Sequence, residues 1–183
     1  MDTPLAGAYL RDVVRAYKMY KQLGERAIAQ VSSDRDLHRQ IDPESNSIAV
    51  IVKHISGNLR SRFRDFLTTD GEKPDRNRDG EFEDDSISRD ELLRRWNDGW
   101  DVVLQALDSL TPEDLGRTVR IRGEEFLVLE ALNRSITHTA YHVGQIVYLA
   151  RHLASGDWKS LSIPKGKSGE VGKGTYKQAP PRQ

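Results

Sequence analysis

Residues 135–153 read SITHTAYHVGQIVYLARHL, and their apolar spacing predicts a helix packed against a core. Two histidines, His138 and His142, lie one helical turn apart in this stretch. Because a helix advances by about 100° per residue, His138, His142 and Gln145 form one stripe beside the apolar row. The stripe faces inward, and a buried imidazole needs a partner. This helix therefore predicts a polar site inside a helical core.

Three more segments have the apolar spacing of amphipathic helices. The first follows the amino terminus and fades near Val31, and the second runs from about residue 47 to residue 68. The third opens with Ser88 and Glu91 at the spacing of a capping box. Together with a last helix over about 127–153, these segments predict an all-α fold, an antiparallel four-helix bundle.

The segments between and after the helices differ in composition. Residues 70–86 combine Gly, Pro and many charges, which predicts a long loop that is either solvated or borders the polar site. Residues 117–128 alternate in polarity, which predicts a short hairpin or an extended crossover before the last helix. The final residues are rich in Gly, Lys, Ser and Pro. We therefore expect a bundle over residues 1–155 and an irregular tail over 156–183.

Composition narrows the function classes. The chain has 28 Lys and Arg against 28 Asp and Glu, so its zero formal charge gives no reason to expect a nucleic-acid partner. It contains no cysteine, so a metal site must use His, Asp or Glu. We see neither a leader-peptide pattern nor an apolar run long enough to span a membrane. We expect a cytoplasmic protein without a membrane partner.

The second helix carries a third histidine, in the stretch VKHISGNLRSR (52–62). His54 lies there at the edge of the apolar row. If this helix is next to the last one, His54, His138 and His142 supply three nitrogen ligands to one divalent ion and leave a coordination position open. Three protein ligands and an open position are typical of catalytic metal sites rather than structural ones.

Three polar residues accompany these histidines. Asn58 and Arg62 follow His54 by one and two helical turns, and Gln145 follows His142 by nearly one turn. Asn58 and Gln145 are candidates for hydrogen bonds to the ligand rings or to a substrate. Arg62 is a candidate for a bidentate contact with a substrate carboxylate. Ordinary polar contacts between helices, and a surface ion pair for Arg62, are the alternative interpretations.

Two known kinds of helical metal site do not fit the sequence. A thermolysin-type H-E-x-x-H site needs a Glu where HTAYH has Thr139. A di-iron carboxylate bundle needs E-x-x-H on two helices, whereas Asn133 stands three residues after Glu130. Histidines that only form hydrogen bonds inside the core remain the structural alternative to a metal site.

Beyond these patterns, three long stretches resemble a known family. They are KHISGNLRSRFRDFLTTDGEKPDRNRDGEF (53–82), HTAYHVGQIVYLAR (138–151) and WKSLSIPKGKS (158–168). Together they resemble the DinB-like superfamily, in particular one of its uncharacterised bacterial domain families, over nearly the whole chain. The resemblance implies a four-helix bundle in which one histidine of the second helix and two of the last bind a divalent metal ion, nickel or zinc. These positions correspond to His54, His138 and His142.

The resemblance also implies a class of function. Relatives with known activity include metal-dependent transferases and isomerases that use low-molecular-weight thiols such as bacillithiol or mycothiol, and related proteins are often dimers. We therefore expect a metal-dependent enzyme of the thiol transferase or hydrolase type that acts on a small molecule and forms a homodimer. The alternative is a non-catalytic, stress-related bundle with a structural metal and a protein-interaction role.

Overall fold

The computed structural model describes residues 3–170, and this part of the chain is mostly helical. Its helices are α1 (Thr3–Ile28), α2 (Asp34–Leu37), α3 (Ile48–Phe63), α4 (Arg89–Asp108) and α5 (Val128–Ala154). The one-turn helix α2 was not expected from the sequence. Of the predicted irregular tail, residues 156–170 contain only short 3-10 turns as regular structure, and residues 171–183 lie outside the described part.

The ends of the central helices follow from local chemistry. The Ser47 hydroxyl accepts a hydrogen bond from the Val50 backbone N–H at 3.2 Å and so caps α3. The Ser88 hydroxyl caps α4 in the same way through the Glu91 N–H, at 3.3 Å. Helix α3 ends at Phe63, earlier than predicted, because Asp65 adopts a left-handed backbone conformation with φ of 51° that cannot continue the helix.

The hydrophobic core contains a cluster of aromatic rings from α1, α3 and α4. Trp96 and Trp100 are fully buried, and their ring centroids lie 5.1 Å apart. The Tyr17 ring meets Trp100 edge to face at 6.1 Å and Phe63 at 6.0 Å. Rings of this size supply much of the apolar area that a helical core buries.

Helices α3 and α4 approach each other closely. A Cβ atom added to Gly99 of α4 would lie only 2.7 Å from the Cα atom of Ser56 on α3. The Ser56 hydroxyl donates a hydrogen bond to the Arg95 carbonyl at 2.7 Å. Glycine at position 99 therefore permits backbone contact between the two helices.

A two-stranded antiparallel hairpin precedes α5, as the sequence predicted. It consists of β1 (Thr118–Ile121) and β2 (Glu124–Leu127). Both turn residues have positive φ, 56° for Arg122 and 78° for Gly123, which is typical of a tight hairpin turn. The Asp70 carboxylate accepts hydrogen bonds from both of their backbone N–H groups at 2.8 Å. The hairpin is thereby attached to the segment that follows α3.

Among residues 3–170, none of the helices combines the length and the apolar character that crossing a membrane requires.

Candidate metal centre

The three histidines meet between α3 and α5. His54 comes from α3, and His138 and His142 come from α5. The Nε2 atom of His138 lies 3.2 Å from Nε2 of His54 and 3.2 Å from Nε2 of His142. The potential ligand atoms of the three rings all lie within 4.8 Å of one another, close enough to hold a metal ion. The predicted convergence of the three histidines is confirmed.

In two of the rings, the outer nitrogen, Nδ1, which does not face the other histidines, lies at hydrogen-bond distance from an oxygen acceptor. His54 Nδ1 lies 2.9 Å from a carboxylate oxygen of Glu81, and His142 Nδ1 lies 2.8 Å from the side-chain oxygen of Gln145. Because these oxygens accept hydrogen bonds, each Nδ1 carries the proton and each neutral ring has its lone pair on Nε2. Such outer hydrogen bonds are what metal-binding histidines usually make.

The hydrogen atoms available do not satisfy the three inner nitrogens. In the neutral rings, Nε2 of His54 and of His142 are both acceptors, and both are directed at Nε2 of His138. That atom can donate at most one N–H, so at least one lone pair faces another nitrogen without a hydrogen between them. A divalent cation accepts all three lone pairs. The donor set therefore fits a metal ion better than it fits a hydrogen-bonded cluster.

The surroundings of His138 and His142 favour the neutral form of these two rings, which is the form that binds metals. Burial, together with the nearby rings of His142 and His54 and the charges of two arginines, lowers the pKa of His138 from 6.5 to about 4. Burial also lowers the pKa of His142, although the hydrogen bond with Gln145 acts in the opposite direction. The side chain of His138 is half-buried, whereas His54 and His142 are buried. A neutral imidazole at His138 or His142 needs no proton release before it coordinates.

Glu81 belongs to the 70–86 segment, which is not merely solvated. A 3-10 turn (Asp79–Phe82) brings the buried Glu81 side chain against α3. Arg76 binds its carboxylate with two nitrogens, at 2.7 and 2.8 Å. Burial alone raises the pKa of Glu81, but the hydrogen bonds of Arg76 and His54 and the charge of Arg76 outweigh it, so this pKa lies below its ordinary value. Glu81 is thus an ionised acceptor for His54.

Sequence reasoning missed Glu81 and Arg76, although one residue signalled them. A Cβ atom on Gly57, in the middle of α3, would overlap the Glu81 carboxylate. Glycine inside a helix costs about 1 kcal/mol relative to alanine, so its presence beside His54 indicates that another group approaches closely. That group is Glu81.

A cavity of about 510 Å³ opens beside the histidines. His54, Asn58 and Arg62 of α3 form one wall, and His138 of α5 forms part of another. Apolar side chains line a further part of it: Phe63, Phe66, Ile121 and Ala131. The volume is within the range of small-molecule sites.

The three polar candidates occupy different places. Gln145 binds the His142 ring, as described above. Asn58 lines the cavity at 9% exposure, and within residues 3–170 its side-chain amide has no hydrogen-bond partner. Arg62 also lines the cavity, but its guanidinium donates a hydrogen bond to the Gly71 carbonyl. Two of its nitrogens also donate to the Glu72 carboxylate, at 3.2 and 3.3 Å. Their roles toward a substrate stay predictions.

Fold and site together define a mostly helical protein with a three-histidine group that can hold a metal ion. The chain belongs to the family described as "Protein of unknown function (DUF1572)", whose sequence model matches residues 4–167. Comparison with curated proteins and with solved structures found no match.

Proposed function

We propose that His54, His138 and His142 hold one divalent metal ion and that the protein is a metal-dependent enzyme acting on a small molecule. The observation that carries the proposal is the orientation of the rings. Three Nε2 atoms converge, while the outer nitrogens of His54 and His142 are bound by Glu81 and Gln145. This arrangement fixes both the ring positions and the lone pairs that a metal needs.

The placement of the cavity supports catalysis rather than a closed structural site. Three protein ligands leave one position of a tetrahedral ion for water or substrate, and the cavity reaches two of those ligands, His54 and His138. A divalent ion bound there would act as a Lewis acid and would lower the pKa of a coordinated water or thiol toward neutrality. Asn58, which lines the cavity, is our candidate for a hydrogen bond that orients the substrate, and the apolar part of the wall would contact the body of the substrate.

Finer features of the proposal rest on the helical periodicity of the sequence and on the resemblance to the DinB-like superfamily. They are an antiparallel four-helix bundle over residues 1–155 followed by a tail, zinc or nickel as the ion, and a low-molecular-weight thiol as cosubstrate of a transferase, or water in a hydrolase. A homodimer and a cytoplasmic location are further predictions. The exposed Tyr141 and Tyr148 on α5 are side chains that a second copy can cover.

Metal binding tests the proposal directly. Protein purified without a histidine tag should bind one divalent ion per chain, and His54→Ala or His142→Ala should weaken binding by more than about 100-fold. His152→Ala is the matched control, because His152 lies exposed on the same helix and outside the three-histidine group. Retained binding in both ligand variants would contradict the proposal.

Chelation separates an enzyme from a structural bundle. For a catalytic metal, removal should abolish activity in a screen of thiol-transfer and hydrolysis reactions and lower the Tm only slightly. A sharp fall in Tm on chelation, with no metal-dependent reaction, would favour the non-catalytic alternative with a structural metal and a protein-interaction role.

A further inference from the structure

We propose that the cavity beside the three histidines binds a small organic anion, with Arg78 and Arg134 as the residues that bind its charge. This inference rests on the proposed function in one respect, since the anion would be the substrate of the metal centre. Its support is independent of the histidines. It comes from the charges, the unpaired polar group and the shape of the cavity.

The charges that line the cavity all have one sign. The charged residues of the lining are five arginines: Arg62, Arg78, Arg120, Arg122 and Arg134. No carboxylate is among the lining residues that the structure describes. The whole chain, in contrast, carries equal numbers of basic and acidic residues, 28 of each. The cavity is therefore a local positive region in a neutral protein, which attracts anions.

Three of these arginines have a carboxylate partner. Arg62 and Arg122 share one carboxylate, that of Glu72, at 3.2 and 3.1 Å, and the exposed Arg120 binds the exposed Glu125 at 2.9 Å. Two carboxylates therefore offset part of the charge of these three arginines.

The other two arginines of the lining have charges that are available to bind an anionic ligand. Within residues 3–170, neither Arg78 nor Arg134 has a carboxylate at ion-pair distance. The Arg134 guanidinium lies 5.9 Å from the centroid of the Phe126 ring, a contact that orients the side chain without neutralising it. A guanidinium binds carboxylate and phosphate oxygens with two parallel hydrogen bonds. These two side chains are therefore the charge-binding groups of the cavity.

Asn58 supplies a second, independent indication of a ligand. Its side chain is more than nine-tenths buried on the cavity wall, one turn from His54. Within the described residues its amide makes no hydrogen bond, and its polar atoms are accessible from the cavity, where a ligand can reach them. A polar group of the ligand, seated between the histidines and the arginines, gives this amide its partner.

The dimensions of the site limit the ligand to a small molecule. Arg134 precedes His138 by four residues on α5, a rise of roughly 6 Å along the helix. An anionic group on Arg134 therefore places the opposite end of a small molecule beside His138. The apolar wall formed by Phe63 and Phe66 suits a hydrocarbon or aromatic body. The substrate class is a carboxylate or phosphate ester of such a body, with its reacting group at the histidines.

Three probes that share a phenyl body and differ in charge test the inference. Calorimetric titration of the metal-free full chain uses phenylphosphonate and neutral benzyl alcohol, with phenylacetate as the carboxylate form. We expect the anions to bind at least about 10-fold more tightly than the alcohol, and we expect their affinity to fall as the salt concentration rises. Arg134→Gln and Arg78→Gln should each weaken phenylphosphonate binding by about 10-fold. Arg151→Gln, on the exposed face of α5 outside the cavity, should change it less than twofold.

Three results would overturn the assignment. These are absence of phenylphosphonate binding, equal binding of the anion and the alcohol, and equal effects of Arg134→Gln and Arg151→Gln. Metal titration of the same preparations keeps this test separate from the proposed function. Protein that binds one metal ion and no phenylphosphonate contradicts the anion site alone. Protein that binds phenylphosphonate and no metal contradicts the metal site and supports the anion site.

Discussion

Helix α3 meets α4 and α5 through different chemistry. On the α4 side, Ser56 lies against the bare backbone of Gly99, and the tryptophan rings of α4 fill the core next to it. On the α5 side, His54 and Asn58 face polar groups and a cavity of about 510 Å³. The first interface is closed by packing, and the second keeps a space bordered by polar side chains.

Two glycines show how the sequence produces this difference. Gly99 admits the backbone of the neighbouring helix, whereas Gly57, on α3 itself, admits the carboxylate of Glu81. The first contact stabilises the fold, and the second orients the ring of His54. Helix α3 is held in place from the α4 side, so that its α5 side can carry nitrogens without hydrogen-bond partners. Substitutions on the two sides should therefore have separable effects.

The largest effect should come from breaking the packed side. Trp96→Ala removes a fully buried ring and should lower the free energy of unfolding by about 3–5 kcal/mol. Metal affinity of the molecules that remain folded should not change, because no ring of the metal centre contacts Trp96. Denaturant unfolding and metal titration measure the two quantities. A loss of metal affinity equal to that of a ligand variant would show that the two sides are not separable.

Alanine substitutions of Gly99 and Gly57 test the two sides of α3 separately. Gly99→Ala should lower stability by about 1–3 kcal/mol through its clash with the α3 backbone, while metal affinity is kept. Gly57→Ala should displace the Glu81 carboxylate and weaken metal binding, with a smaller stability loss because a side chain can move aside more easily than a backbone. Thermal unfolding and metal competition assays on both variants measure stability and metal affinity. Equal changes of both quantities in the two variants would contradict this prediction.

Sequence reasoning predicted the groups whose positions follow from helical periodicity. The repeat of 3.6 residues placed His138, His142 and Gln145 on one stripe, and His54 at the edge of an apolar row. It did not predict Glu81, because a non-periodic loop takes its position from tertiary contacts such as the Arg76 ion pair.

Four of the five cavity arginines escaped prediction for a related reason, and only Arg62 was a candidate from the sequence. The other four come from α5, the 70–86 segment and the hairpin, and no single window of sequence contains them. The small helix α2 was missed because one turn is too short to show a periodic pattern.

A smaller effect should come from loss of the charged partner in the hydrogen bond between His54 Nδ1 and Glu81. Glu81→Gln keeps the size of the side chain but removes its charge, and it should weaken metal binding by about 10- to 100-fold. Glu83→Gln is the control, because Glu83 is exposed in the same segment and accepts from Lys53 only through its backbone carbonyl. Unchanged metal affinity in the Glu81 variant would show that the His54 ring is oriented by other contacts.

The smallest effect should be a pH dependence at the hairpin wall of the cavity. Hydrogen bonds from the backbone of Glu72, Gly123 and Arg122 hold the pKa of Asp70 below its ordinary value of 3.8, although partial burial opposes them. A carboxyl group with a lowered pKa stabilises the fold above its unfolded pKa, and this contribution disappears as the pH falls through the folded pKa. The stability difference between wild type and Asp70→Asn should therefore be constant above about pH 5 and shrink below about pH 4. Unfolding curves at several pH values measure it, and a difference that grows in acid would have the wrong sign.

The convergence of three imidazoles on one metal ion is tested most directly by anomalous diffraction at the zinc edge from crystals of the untagged, zinc-loaded protein. We predict a single strong peak between α3 and α5, with the Nε2 atoms of His54, His138 and His142 each about 2.0–2.1 Å from it. A peak that lacks any one of these three rings among its ligands, or a map without a peak between the two helices, would contradict a three-histidine metal site.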